Sequence, residues 1–263
     1  MIRSALMNVM TAAAMKAGRG LKRDFGEVEN LQVSVKGPGD FVTAADRRAE
    51  KTLFEELSRA RPGYCFLMEE SGAVEGADKS HVWHIDPLDG TSNFLHGIPI
   101  FAISVALERE GQIVAGLVYN PASDDLYVAE KGQGAFHNNR RMRVAARRTL
   151  AESMVACGIP PLAGLAHHAR FQVELAAVMA KVGNIRRLGA AALDLAMVAS
   201  GRCDGYWERG IQPWDIAAGI ILVKEAGGFV TDLSGGPDML TKSEICAGNE
   251  TIHRHLLDLL RKA

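Results

Sequence analysis

Val82-Trp83-His84-Ile85-Asp86-Pro87-Leu88-Asp89-Gly90-Thr91-Ser92-Asn93-Phe94 is the stretch on which the reading of this chain turns. Val82 to Ile85 is a short apolar run of the kind that makes a buried strand, and it delivers Asp86 at its end. Pro87 stiffens the exit and Asp89 follows three residues later, so two carboxylates are fixed on one short turn, an arrangement suited to hard divalent cations. Gly90 lets backbone approach a ligand closely, and Thr91-Ser92-Asn93 resembles a helix start whose free N–H groups attract phosphate. Cation ligands and N–H donors would then share one pocket, as phosphoryl transfer to water requires. Taken alone, Asp89-Gly90 reads rather as a tight turn and Thr91 as a cap, because such turns are common.

Upstream, Cys65 to Met68 is a second short apolar run, and it too ends in carboxylates, Glu69 and Glu70, before a turn at Ser71-Gly72. Adjacent carboxylates repel unless one faces water or a cation. Solvated loop glutamates are the plain alternative, and their place at a strand end argues against it. Ile2, Leu6, Met10, Ala13, Ala17 and Leu21 recur at three- and four-residue steps and predict an opening amphipathic helix. The glycines and proline of Val35-Lys36-Gly37-Pro38-Gly39-Asp40 predict a loop. Ala45, Ala49, Leu53 and Leu57 predict a second helix, ended by Arg61-Pro62-Gly63, with Thr43 and Asp46 as its capping box. For Asp46 by itself, capping is the better reading.

Downstream, short apolar runs from Phe101 to Val144 are punctuated by Glu110-Gly111, Asn120-Pro121, Gly132-Gln133-Gly134 and Asn138-Asn139, which predicts an antiparallel meander. After Ser153 strand and helix alternate: strands at Met154–Ala156, Ile185–Leu188, Asp204–Trp207, Phe229–Thr231 and Ile245–Ala247, and helices through Phe171–Val182, Ala190–Ser200, Trp214–Ala226 and from Asn249 onward. Asp215, in Pro213-Trp214-Asp215-Ile216-Ala217-Ala218-Gly219, stands in a first helical turn, where the helix dipole alone would favour it. An antiparallel first half with flanking helices and an alternating second half imply an α+β / α/β protein of layered sheets and helices. Two lobes, 1–150 with the antiparallel sheet and the metal site and 151–263 as an α/β lobe, would share an interface, because no linker or repeat separates them.

Apolar residues make up 48% of the 263 and charged residues 23%, a composition that excludes wholesale disorder. A formal charge of -1 gives no bulk attraction to nucleic acid or to anionic membranes. The basic stretch Arg140, Arg141, Arg143, Arg147 and Arg148 reads first as a solvated surface. Asn8, Thr11 and Lys16 interrupt the apolar residues from Ala5 to Ala17, and no run reaches the ~18 residues of a spanning helix, so a cytoplasmic protein without membrane contact is expected. Cys65, Cys157, Cys203 and Cys246 are scattered and read as small buried hydrophobes.

Met68-Glu69-Glu70-Ser71, Ile85-Asp86-Pro87-Leu88-Asp89-Gly90-Thr91 and Pro213-Trp214-Asp215-Ile216-Ala217-Ala218-Gly219 together resemble the three signatures of the inositol monophosphatase family, in the family's order. The similarity runs over nearly the whole chain as a single unit, 1–263, and Arg61-Pro62-Gly63-Tyr64 and Ala192-Leu193-Asp194-Leu195-Ala196 resemble its bacterial inositol-1-monophosphatase branch. The resemblance implies a layered αβαβα sandwich of the sugar-phosphatase type and Mg²⁺-dependent hydrolysis of a phosphate monoester such as myo-inositol monophosphate.

By that resemblance Glu69, Asp86 and the carbonyl of Leu88 hold a first Mg²⁺, Asp86, Asp89 and Asp215 a second, with a third near Glu69. Glu69 and Thr91 orient the attacking water, and Asp46 accepts a hydrogen bond from Thr91. Gly90 and Thr91 hold phosphate oxygens, while Asp89, Asp215, Gly189, Ala190, Ala191 and Glu208 meet the substrate. Glu208 also reads as an ordinary exposed acid, and Lys36 as part of a loop closing over the site. Ala190 departs from the pattern, standing where a hydroxyl residue often occurs. Family members resembling this chain are inhibited by lithium and form homodimers. Fructose 1,6-bisphosphate, histidinol phosphate and a phosphoadenosine phosphate are alternative substrates, and a nucleic-acid or other macromolecular partner is the alternative of a different class.

Overall fold

The computed structural model describes residues 4–25, 33–37, 40–160 and 165–263, the side chains of 33–37, 40–42, 165 and 166 excepted. Helix α1 (Ala5–Phe25) buries Met7, Met10, Ala14, Ala17 and Leu21, and the expected Ile2 lies outside the described residues. Next, β1 (Val33–Gly37) and β2 (Asp40–Thr43) pair antiparallel, Val33 opposite Thr43 and Gly37 opposite Asp40. That corrects the loop expected over Val35–Asp40, because valines at alternate positions favour extended backbone up to Gly37. Residues 38 and 39 and the Lys36 side chain lie outside the described residues.

Helix α2 (Ala44–Ala60) follows, burying Ala45, Ala49, Leu53 and Leu57. Then come β3 (Tyr64–Met68), β4 (Gly72–Val74), β5 (Asp78–Asp89), the short α3 (Thr91–Leu95) and the meander β6 (Ala102–Arg109), β7 (Gln112–Asn120), β8 (Asp125–Glu130), β9 (Gly134–His137) and β10 (Arg140–Arg141). They build one eight-stranded sheet in the order β10-β9-β8-β7-β6-β5-β3-β4, in which β3 and β5 are the parallel pair. Glu110-Gly111 and Asn138-Asn139 have positive φ, as two-residue hairpin turns between right-twisted strands require.

The remainder is β11 (Met154–Cys157), α4 (Leu165–Met179), β12 (Asn184–Arg186), α5 (Ala191–Ala199), β13 (Gly205–Arg209), α6 (Pro213–Glu225), β14 (Phe229–Thr231), α7 (Met239–Lys242), β15 (Glu244–Gly248) and α8 (Glu250–Lys262). Its five strands are ordered β12-β11-β13-β15-β14, β11 running parallel to β12 and β13 and β15 antiparallel to its neighbours.

Successive strand residues point to opposite faces, and that period sorts the interior into three cores. Ile103 and Val105 of β6 join Trp83, Ile85 and the stripes of α1 and α2 on the outer face of the large sheet. Ala102 and Ala106 face the other way, into a second core with α5, α6 and Tyr206 of β13. Trp207, one residue on, joins the third core with Phe171 of α4 and Leu256 and Leu260 of α8. The result is five layers, helix, sheet, helix, sheet, helix, an αβαβα sandwich. Among the described residues no helix is long and apolar enough to cross a membrane. Cys157, Cys203 and Cys246 are buried free thiols, and Cys65 is half-buried.

Candidate active site

The carboxyl end of β5 gathers the site. Asp86 pairs with Ser104 and Asp89 with Ala102, so three steps on β5 span two on β6. This bulge brings Asp86 and Asp89 to one side, where residues three apart on a regular strand would face opposite ways. Pro87, lacking an N–H, suits the break in the ladder. Asp86 Oδ1 accepts the Leu88 N–H at 2.8 Å, which ties the turn to itself.

Neighbouring elements bring the other acids to this end. β3 runs parallel to β5 with Met68 opposite Ile85, and the Glu69 N–H donates to the Ile85 carbonyl at 3.1 Å, so Glu69 leaves its strand beside Asp86. The turn after it is held from below by Glu50 of α2, which accepts the Glu70 N–H at 2.8 Å and the Ser71 hydroxyl at 2.5 Å. The Ser104 hydroxyl donates to the Trp214 carbonyl at 3.1 Å, fastening the start of α6 to the strand opposite Asp86. Asp215 stands there and accepts the Gln212 N–H at 3.1 Å. Its capping role and its place among the acids coexist.

Asp46 is fully buried at the start of α2. Thr43 and Asp46 form the capping box: the Thr43 hydroxyl accepts the Ala45 N–H at 3.0 Å and Asp46 Oδ2 accepts the Thr43 N–H at 2.9 Å. The other carboxylate oxygen, Oδ1, lies 3.2 Å from the Thr91 hydroxyl, which also reaches the Leu88 carbonyl at 3.0 Å. Thr91 therefore has its proton committed to one of two acceptors and its lone pairs left open.

Asp89 turns the other way along the site. Its two oxygens accept the N–H groups of Ala191 (3.2 Å) and Ala192 (2.7 Å), the first turn of α5. Ala190 is the N-cap of α5 and offers no side-chain bond. The hydroxyl absent at Ala190 is thus replaced by a carboxylate from more than a hundred residues away, and the Ala191 N–H is already engaged. Gly189 and Ala190 are drawn against Gly90, whose left-handed backbone (φ 89°, ψ 34°) and contact with them require glycine: a Cβ would stand 2.9 Å from the Ile100 carbonyl oxygen. The Asn93 amide clamps the same junction, donating to the Ile100 and Leu188 carbonyls, both at 2.8 Å.

A cleft of ≈ 120 Å³ opens beside these groups, lined by Asp89, Gly189, Ala190, Ala191 and Asp215 and also by Gly158, Arg187, Asp194 and Glu208. Glu208 is half-buried, not the exposed acid of the plain alternative, and takes a hydrogen bond from the Tyr206 hydroxyl.

The electrostatics of this end are set by desolvated like charges. Burial, then Glu69, Asp89 and Asp215, push Asp86 well above the usual carboxylate range, and it shares a hydrogen bond with Glu69. Asp215 is raised well above that range by burial, then by Asp89 and Glu69. Burial lifts Asp89 to about 7 although the two N–H groups of α5 pull it down, and lifts Glu208 to about 7 against the Tyr206 hydroxyl. Asp46 is raised by burial despite its hydrogen bonds.

Among the described residues no three His, Cys, Asp or Glu side chains already form a closed cation cage. Glu69, Asp86, Asp89 and Asp215 instead stand within electrostatic reach of one another, each offering oxygen alone. A set of hard oxygen donors whose repulsion is relieved only by protons or by cations fits Mg²⁺.

Glu69, Asp86, Leu88, Asp89, Gly90, Thr91, Asp46 and Asp215 are thus one neighbourhood, with Gly189, Ala190, Ala191 and Glu208 around the adjoining cleft. The sequence reading missed Glu50, Asn93 as a clamp, and Asp194. Glu50 was signalled by its place four residues after Asp46, inside the apolar stripe of α2, and Asp194 by being the lone acid in an apolar helix.

Comparison with known proteins follows the same lines. The model of the inositol monophosphatase family matches residues 3–263. The inositol-1-monophosphatase of Mesorhizobium japonicum is 64% identical over 262 residues, covering 100% of this chain and 98% of that one. The Nus factor SuhB of Vibrio cholerae is 38% identical over 98% of this chain and 96% of its own. The crystal structure of the extragenic suppressor protein suhB from Bartonella henselae matches with a TM-score of 0.96 at 59% identity, over 99% of this chain and 100% of that one. With the match unbroken from end to end and the layers superposing, the chain belongs to the inositol monophosphatase family.

Proposed function

We propose that the protein is a Mg²⁺-dependent phosphatase that hydrolyses a small phosphate monoester, myo-inositol monophosphate first among them. Four carboxylates from three distant segments, converging at the end of β5 with their charges in conflict, carry this reading. Glu69, Asp86, the Leu88 carbonyl, Asp89 and Asp215 would hold two Mg²⁺ ions, with a third near Glu69. The chemistry Mg²⁺ would supply there is to offset the phosphate charge and to lower the pKa of a water so that it attacks phosphorus as hydroxide. Thr91, its proton donated to Asp46 or to Leu88, offers lone pairs that orient this water together with Glu69. The N–H groups at Gly90 and Thr91, where α3 begins without a side-chain cap, suit the phosphate oxygens. A P–O bond from the water oxygen would form as the P–O bond to the alcohol oxygen breaks, the proton lost by the water ending on the departing alcohol, with no covalent phosphoenzyme.

Phosphate release from a panel of monoesters, with and without Mg²⁺, tests the reading. Inositol monophosphate should lead the panel, with activity lost on chelation, and Asp89→Asn should lower kcat by roughly 100-fold or more. Turnover that persists in the variant defeats the mechanism. The panel includes fructose 1,6-bisphosphate, histidinol phosphate and a phosphoadenosine phosphate, any of which would replace inositol monophosphate by out-competing it. Millimolar lithium should inhibit, and light scattering should find a homodimer. The four free cysteines suit a reducing cytoplasm.

The likeness to a Nus factor favours a second reading, a macromolecular partner beside or instead of catalysis. The exposed Arg140 and Arg143 are available for it, whereas Arg147 is tied to Asp204 at 2.7 Å. Binding of that kind survives Asp89→Asn.

A further inference from the structure

Asp194 is the fourth residue of α5 and lines the cleft beside Asp89. It is only 1% exposed, and its Oδ1 is buried with no hydrogen-bond partner. Native proteins keep few such atoms, because each forfeits its hydration without recompense. Its neighbours sharpen the anomaly. Burial first, then the like charges of Glu208 and Asp89, hold the Asp194 carboxyl well above the usual range, and Arg187 is the cation that opposes them. The rest of the buried α5 stripe, Ala192, Leu193, Leu195 and Ala196, is apolar, and a leucine in place of the acid would leave no atom unsatisfied.

The wall around Asp194 is cut to fit something. A Cβ on Gly158 would stand 1.7 Å from the Glu208 carboxyl carbon, so glycine there is what admits Glu208 to the cleft. Tyr206 fixes one Glu208 oxygen. Asp194 and Glu208 thus line one small space together with Gly189, Ala190 and Ala191, where on the phosphatase reading the alcohol part of a phosphate ester would lie. Hydroxyl groups are the partners such oxygens accept from, and a polyol carries several on adjacent carbons.

We infer that Asp194 is a specificity-determining residue, which with Glu208 binds hydroxyl groups of the substrate's alcohol part and so selects polyol monoesters over esters without free hydroxyls. The inference rests on the phosphatase reading given above. An acid in the first turns of a helix also suits the helix dipole, and a purely structural role is the rival to exclude.

The test compares wild type, Asp194→Ala and Asp194→Asn on inositol 1-phosphate and on p-nitrophenyl phosphate, with thermal midpoints measured alongside. In the alanine variant the ratio of kcat/KM for inositol 1-phosphate to that for p-nitrophenyl phosphate should fall roughly 10- to 100-fold, chiefly through KM, as losing a hydrogen bond to a buried carboxyl group implies. Asparagine, which keeps an acceptor, should recover part of the ratio. An unchanged ratio, or parallel losses on both esters with a lowered midpoint, overturns the inference. If wild type releases phosphate from neither ester, the phosphatase reading falls separately, and calorimetric titration with inositol 1-phosphate decides on Asp194. Weaker binding by the alanine variant supports it, and equal binding overturns it.

Discussion

Gly90 shows how little room the site leaves for change. Its left-handed backbone and the Ile100 carbonyl oxygen 2.9 Å from any added Cβ act against the same methyl group. Gly90→Ala should therefore cost about 2 kcal/mol in urea denaturation and depress phosphate release, because the displaced turn carries Asp89 and Thr91 with it. A midpoint equal to that of wild type would show that the turn yields without cost. Asp46 makes the complementary point, since it caps α2 with one oxygen and meets the Thr91 hydroxyl with the other. A residue that reads in isolation as a cap also bonds to the candidate site, and the two contacts share one carboxylate.

Among the elements, α2 joins fold and site most directly, because its first turn positions Asp46 and its second places Glu50 under the turn after Glu69. Thr43→Ala removes the acceptor for the Ala45 and Asp46 N–H groups and should destabilise the protein by about 1 kcal/mol, with Thr43→Ser restoring most of it. Chemical denaturation of the three proteins measures this, and an alanine variant as stable as wild type contradicts it. The long elements were legible because their periods are: α1, α2 and the meander carry stripes or alternations several turns long, and Glu110-Gly111 and Asn138-Asn139 mark their hairpins. β4, α3 and α7 are three to five residues each, too short for a period to show. β1 and β2 were hidden because the Gly-Pro-Gly sequence dominates the local signal. The bulge at Pro87 and the Asp89 bonds to α5 have no local signature, since each depends on a strand or helix distant in sequence.

Across the whole molecule the acids at the end of β5 link stability to pH and, on the proposed function, to cations. Asp89, raised to about 7, holds in the folded state a proton that the unfolded chain gives up near 4. Between those values the folded state binds more protons, so without cations this group's contribution weakens as pH rises and is least favourable above 7. Mg²⁺ held as proposed above would compete with the same protons, and its stabilisation would grow over the same range. Saturating Mg²⁺ should raise the thermal midpoint by roughly 5–10 °C at pH 8 and by much less at pH 5.5. A shift larger at the lower pH would contradict this account.

The bonds from Asp89 to the Ala191 and Ala192 N–H groups also set a timetable for biosynthesis. A nascent chain that has left the ribosome through its antiparallel half holds Glu69, Asp86 and Asp89, but neither the helix start that engages Asp89 nor the fourth acid, Asp215. Domains take shape as synthesis proceeds, so the acids made first wait, mutually repelling, for partners translated a hundred residues later. On the proposed function the second ion, which needs Asp215, would be held only by polypeptides whose second half has emerged and docked, and prematurely terminated products would lack it.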